Sequence, residues 1–285
     1  MFTLHNGDNL PFLRSLESDM IDLIYIDPPY FSQLNYGDFD DRWKSMQHYL
    51  DFMVERLKEM HRVLKSTGSI YVHLDWHAVH YVKVEMDKIF GYDNFNNHII
   101  YPYKGGGASH RRFSRKHDDL LFYSKSPDYF YNEVKEKRYV DKSKGYNPYT
   151  KQYHDENGTF VMVIPLDVWS DVSYIGHHSK AKKELMNYAT AKNPKLMEKI
   201  IIASSREGDI VADFFCGSGS FLKVAHELGR SCIGCDSNQS AVLRLKSFTP
   251  SNTACSGRVD SSRSPELFPA EVTLSAKVTR QSTRR

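Results

Sequence analysis

Asp27-Pro28-Pro29-Tyr30 places a carboxylate, two prolines and an aromatic ring in four consecutive residues. They follow an apolar run, Ile21 to Ile26, that reads as a buried strand. Such a corner can grip a flat ring that carries an amine. The carboxylate accepts hydrogen from an exocyclic NH2, and Pro28, which has no N–H, still offers its C=O as a second acceptor. Pro29 stiffens the turn, and Tyr30 offers a face for stacking. An isolated motif of this kind also serves as a rigid strand-to-turn corner with its tyrosine in the core, so the elements around it decide.

A second cluster lies far along the chain. Phe215-Cys216-Gly217-Ser218-Gly219-Ser220 joins a strand ending at Asp213 to a helix, the place in an open α/β sheet where a nucleotide-like cofactor meets the backbone. Position 222 is Leu222, not the third glycine of a dinucleotide fingerprint, and no GxxxxGK[ST] loop is present. Asp236 ends the next strand, 236 − 213 = 23 residues on, where a carboxylate can accept both ribose hydroxyls. A ribose without a pyrophosphate points to S-adenosylmethionine.

The 285 residues suit one α/β domain with insertions or two small domains. A net charge of +3 implies no strong overall field, so a nucleic-acid partner would need a local basic patch. The segment from Lys104 to Lys116 supplies one, with Lys104, Arg111, Arg112, Arg115 and Lys116 around three glycines. The first 20 residues lack a signal-peptide core and no long apolar run occurs, so the expected location is cytoplasmic. Cys232 and Cys235 form a CxxC without a second ligand pair and read as core cysteines rather than a metal or redox site. In His73-x-Asp75-x-His77, strand alternation would put all three on one face, as a polar cluster at a strand end.

Strand and helix patterns alternate through residues 1–127, the helix from Tyr49 ending at Thr67-Gly68. Residues 128–187 are rich in Tyr, Lys, Asn and Asp without a sustained period and read as an inserted recognition region. Order returns over 188–249, and residues 250–285 read as a disordered tail. A glycine loop this late leaves too little chain for the remaining strands. The sheet must therefore be circularly rearranged, with the strand before Asp27 beside the strand before Gly217.

Taken together, the chain over residues 1–246 resembles the β-type amino-methylating DNA methyltransferases, which carry DPPY before FxGxG. The ordered series runs through Asn6-Gly7-Asp8, Asp27 to Tyr30, Asp41-Arg42-Trp43, Gly68 to His73, Arg112 to Asp118, Asp167 to Asp171 and Asp213 to Gly219. The resemblance implies a Rossmann-like S-adenosylmethionine methyltransferase fold and transfer to adenine N6 in double-stranded DNA, the base being flipped out. It places Asp8 near the cofactor adenine and Asp213, Phe215, Cys216, Gly217, Gly219 and Ser220 near its methionine part. Tyr188 to Pro194 departs from the family's YPTQKP-like motif but keeps Thr190 and Lys192 as cofactor contacts. Cytosine N4 offers the same amine geometry and stays open. So do an inactive DNA-binding subunit of a modification complex, a homodimer and a restriction partner.

Overall fold

The computed structural model describes residues 1–37, 39–103, 109–140, 151–172 and 192–246. Lys104, Thr190 with the rest of 173–191, and the tail after Lys246 lie outside them.

Seven strands form one sheet: β1 (Phe2–Asn6), β2 (Ile21–Ile26), β3 (Leu64–Leu74), β4 (Phe95–Pro102), β5 (His117–Ser124), β9 (Ile210–Asp213) and β10 (Ser231–Asp236). Their order is β1-β10-β9-β2-β3-β5-β4. The first five neighbours run parallel, while β5 is antiparallel to both β3 and β4. The rearrangement is as expected. Leu23 and Ile24 of β2 pair with Val211 and Ala212 of β9, although the two strands lie far apart in sequence.

Both faces of this sheet are covered, which is why its central strands are apolar on both sides. In β2, Ile24 and Ile26 point into a core shared with α1 (Asn9–Ser15), α2 (Met46–Val63) and α3 (Val79–Phe90). Leu23 and Tyr25 point into a second core shared with α4 (Pro194–Ser204) and α5 (Ser220–Glu227), to which α6 (Gln239–Lys246) adds Leu245. Ser45 caps α2 by accepting the His48 N–H at 3.1 Å, and Tyr49, Met53, Leu57 and Met60 form its buried stripe.

Two local expectations change. Helix α2 stops at Val63, not at Gly68, and β3 begins at once. Gly68 lies inside that strand because a Cβ there would sit 2.9 Å from the Asp22 carbonyl oxygen and 2.8 Å from Leu64. Residues 128–187, read as aperiodic, contain a three-stranded antiparallel sheet in the order β6-β8-β7: β6 (Glu136–Tyr139), β7 (Gln152–Asp155) and β8 (Gly158–Val163). Phe160 of β8 is flanked by Tyr139 and Tyr153, its partners across the ladder. With four residues in β6 and in β7 and six in β8, the strands are too short to show a sustained period.

Candidate active site

The carboxyl ends of β2, β9 and β10 bring the two sequence clusters to one edge of the sheet, where ligands of open α/β sheets bind. Asp27 leaves β2 and accepts a short hydrogen bond from the Tyr30 hydroxyl. Lys192, just before α4, puts its ammonium 3.2 Å from Asp27 Oδ1 and 2.9 Å from Tyr30 Oη. Burial and the Asp27 charge both push the Tyr30 phenol well above its ordinary pKa, so the hydroxyl stays a donor.

The turn is held by residues whose roles motif reading missed. Tyr49 of α2 donates to the Pro29 carbonyl at 2.8 Å. Asp41, 1% exposed, accepts four donors: the N–H groups of Tyr30 (3.2 Å), Phe31 (3.0 Å) and Ser32 (2.7 Å), and Trp43 Nε1 (2.9 Å). Phe31 and Gln33 have φ of 64° and 61°, a left-handed conformation that side chains disfavour. The carboxylate secures Phe31, and the Asp41 backbone carbonyl accepts the Gln33 N–H at 3.1 Å. The only sequence signal was an Asp-x-Trp in a polar loop.

Behind Tyr30 lies a buried polar chain. His73 of β3, fully buried, meets the Tyr25 hydroxyl at 2.9 Å and Asp118 Oδ2 of β5 at 3.2 Å. Lys192 stands 3.5 Å from His73 Nε2 and 3.9 Å from Asp118. Burial acts to raise the Asp118 pKa, but the His73 hydrogen bond and the Lys192 charge outweigh it and hold the carboxyl below its usual range. Asp75 and His77 do not share a face with His73. They lie past the end of β3 and pair with each other at 2.7 Å.

On the other side of Asp27, Asp213 is buried and accepts the Phe215 N–H at 3.0 Å. Burial pushes its carboxyl well above the usual range; the Phe215 bond opposes this, while the charges of Asp27 and Asp236 add to it. Asp236 accepts the Gly217 N–H at 2.7 Å and the Asn238 N–H at 2.8 Å, which ties the glycine loop to the end of β10. Its pKa is also raised by burial, against those two bonds. Gly217 (φ 45°) and Gly219 (φ 73°) make the turn, and Gly219 also has Leu245 packed where a Cβ would be. Cys216 is buried with its thiol pKa raised, and Ser220 Oγ bonds Ser218 Oγ at 2.9 Å at the start of α5.

Asp8 caps α1 through the Leu10 N–H at 3.0 Å and pairs with Arg56 at 2.6 Å. The same Arg56 bonds Asn9, whose amide reaches the Phe214 carbonyl at 2.7 Å. Asp8 is thereby fastened to the segment between β9 and the glycine loop. The carboxyl groups of Asp8, Asp213 and Asp236 form an acceptor set suited to a ligand with hydroxyls and positive charge, whose charge favours the ionised form of Asp213. Cys232 and Cys235 are free and fully buried in β10.

Of the basic segment, Arg111, Arg112, Arg115 and Lys116 are described. They lead directly into β5 and Asp118, with Arg115 stacked 3.4 Å over the exposed Trp76 ring. Phe113 between them is 98% exposed. Among the described residues, no helix is long and apolar enough to cross a membrane.

Comparison with known proteins agrees with this geometry. A family model described as DNA methylase, of the N6/N4 type, matches residues 21–246. The type II methyltransferase M.HpaI of Haemophilus parainfluenzae is 35% identical over 234 residues, covering 82% of this chain and 69% of that protein. The DNA adenine methyltransferase YhdJ of Escherichia coli K12 is 29% identical over 249 residues, covering 83% and 78%. In fold, the chain is similar to the cytosine-N4-specific PvuII DNA methyltransferase, with a TM-score of 0.59, 18% identity and coverage of 89% and 90%. It is also similar to a DNA modification methylase of Thermus thermophilus solved with S-adenosyl-L-methionine, with a TM-score of 0.58, 18% identity and coverage of 87% and 92%. With DPPY, the glycine loop and the strand order in place over the matched length, the chain belongs to the DNA methylase family.

Proposed function

We propose that this protein methylates adenine N6 in double-stranded DNA with S-adenosylmethionine as donor. The observation that carries the reading is the meeting of Asp27 with the Asp213–Asp236 loop across the β2–β9 pair. It sets an amine acceptor beside a site for a cationic, ribose-bearing cofactor. Asp236 would accept the ribose hydroxyls with the lone pairs left after its two backbone bonds. Asp213, with Phe215, Cys216, Gly217, Gly219 and Ser220, would meet the methionine part, and Asp8 the adenine. When bound, S-adenosylmethionine supplies an electrophilic sulfonium methyl.

An exocyclic base amine is a weak nucleophile because its lone pair is delocalised into the ring. The Asp27 carboxylate and the Pro28 carbonyl would hold its two N–H bonds, favour a pyramidal nitrogen and aim the lone pair, so positioning does much of the work. Asp27 also stands ready to receive the proton the nitrogen sheds. Pro29 keeps the turn rigid and Tyr30 replaces stacking lost when the base leaves the duplex. Lys104, Arg111, Arg112, Arg115 and Lys116 would meet phosphates. Residues 128–187 would read sequence between the catalytic half, 1–127, and the cofactor half, 188–249.

The resemblance carried by DPPY favours adenine over cytosine N4. The test is a nucleoside digest of DNA from an expressing host: N6-methyladenine is expected with the wild type and none with Asp27→Asn. N4-methylcytosine in its place would move the substrate to cytosine, and an active Asp27→Asn enzyme would remove Asp27 from the chemistry.

A further inference from the structure

Directly after Tyr30 the chain rises into a small hairpin with an apolar tip. Gln33 N–H bonds the Asp41 carbonyl at 3.1 Å, Asp41 N–H the Leu34 carbonyl at 2.9 Å and Tyr36 N–H the Phe39 carbonyl at 3.0 Å, while Asn35 bridges Asp40. Gly37, with φ 80°, and the Asn35 side chain, accepting its N–H at 2.8 Å, shape the turn. Leu34, Tyr36 and Phe39 are 56%, 44% and 36% exposed, and the two rings stack on each other at 4.9 Å.

Three large apolar side chains gathered on one tip are not the scattered exposure of an ordinary surface. The tip carries no net attraction for phosphates either, since Arg42 is paired with Asp40 at 2.6 Å and the remaining charged residue of the tip, Asp38, is acidic. Its chemistry suits the inside of a base stack. The hairpin is rooted at the place where a flipped base would arrive: Asp41 closes it with its backbone N–H and C=O, and holds the Tyr30, Phe31 and Ser32 N–H groups with its carboxylate. The Tyr36 hydroxyl donates to Ser32 Oγ at 3.2 Å, which braces the tip against the catalytic turn.

We infer that the Leu34–Tyr36–Phe39 tip is a wedge that enters the duplex beside the target base. It offsets the unstacking needed for the base to reach Asp27, as apolar wedges do between base steps elsewhere. The inference rests on the methyl-transfer reading above. Asp41 joins the two events: its backbone pairs with the hairpin that carries the tip, and its carboxylate sets the catalytic turn for the amine.

The test compares two duplexes carrying the site identified by mapping methylated bases in host DNA. In one the target is paired; in the other it lies opposite an abasic position and is already loosened. In single turnover, Tyr36→Ala/Phe39→Ala is expected to lose roughly ten- to a hundredfold on the paired duplex, the scale of removing one aromatic stacking platform or two. On the loosened duplex it should stay within about threefold of wild type. Leu34→Ser, which keeps both rings, should show the same split in weaker form. Equal losses on both duplexes would mean that the variants only distort the catalytic turn, and no loss on either would return the tip to plain surface. Both results overturn the wedge. Host DNA without any methylated base would overturn the methyl-transfer reading before the duplexes are made, and the wedge with it.

Discussion

Lys192 Nζ lies 3.2 Å from Asp27 Oδ1, the same oxygen that accepts from the Tyr30 hydroxyl. The family motif had suggested a cofactor contact, yet the side chain is set among Asp27, Tyr30, His73 and Asp118. Hydrogen bonds to charged groups are worth about 1.5–3 kcal/mol. Lys192→Met is therefore expected to slow single-turnover methyl transfer roughly ten- to a hundredfold, with S-adenosylmethionine affinity changing less than threefold by calorimetric titration. A large fall in cofactor affinity with the chemical step intact would return Lys192 to the cofactor side.

The hydroxyl of Tyr30 matters beyond its ring, because it donates to Asp27. Tyr30→Phe keeps the stacking face and is expected to lose about tenfold in rate, the value of one charge-assisted hydrogen bond. Tyr30→Ala loses the platform too and should fall further, by roughly another 1–3 kcal/mol. Both are read in single turnover on a defined duplex, and equal rates for wild type and Tyr30→Phe would show the bond idle.

Asp41→Asn should separate turnover from binding. An amide keeps one acceptor oxygen and turns an NH2 toward N–H donors, leaving buried donors unmet at about 1–3 kcal/mol each. The expected result is a kcat lower by roughly a hundredfold, with cofactor and DNA affinities within about threefold of wild type. Trp43→Phe, which removes one of the four donors, should cost less. A variant altered in melting temperature but not in kcat would make Asp41 a purely structural residue.

Neutralising Arg111, Arg112, Arg115 and Lys116 together is expected to weaken DNA binding and flatten its salt dependence, by about 0.9 in log–log slope for each phosphate that is no longer neutralised. Cofactor affinity should not change. An unaltered slope would make the segment a solvated loop.

The raised pKa of Asp213 gives a pH signature. Its folded pKa lies above the unfolded value of about 3.9, so the native state binds more protons and stability falls as pH rises from about 4 through the raised value. A cofactor bearing positive charge favours the ionised form, so its affinity should climb over the same window with release of a proton. Asp213→Asn should flatten both the melting-temperature slope and the proton release, the latter measured by calorimetry in buffers of different ionisation enthalpy. Unchanged slopes would detach Asp213 from both effects.

How much of this was legible follows from how far apart the partners lie. Asp27 to Tyr30 and Phe215 to Gly219 are contiguous runs, and Asp236 sits one strand beyond Asp213, so type and spacing reveal them. The neighbourhood of β2 and β9 was legible for a different reason: a cofactor turn near residue 217 leaves too little chain after it and brings β2 beside β9. The chain Tyr25–His73–Asp118–Lys192 was not, because four elements supply it and His73 and Lys192 are 119 residues apart. Asp41 looked like loop polarity because its partners are backbone N–H groups, which no sequence displays. The contact of Lys192 with Asp27 could not come from a motif that describes only its own neighbours in the chain.

The pairing of β2 with β9 also governs how the chain must be made. Ile210 N–H bonds Asp22 Oδ2 across 188 residues. At synthesis rates of about 5–20 residues per second, β2 would wait roughly 10–40 s on the ribosome with one hydrogen-bonding edge open. An unfilled apolar edge is a template for pairing with another chain. The nascent protein therefore has a built-in interval of exposure, and its yield on expression should depend on chaperone supply more than the stability of the finished sheet would suggest.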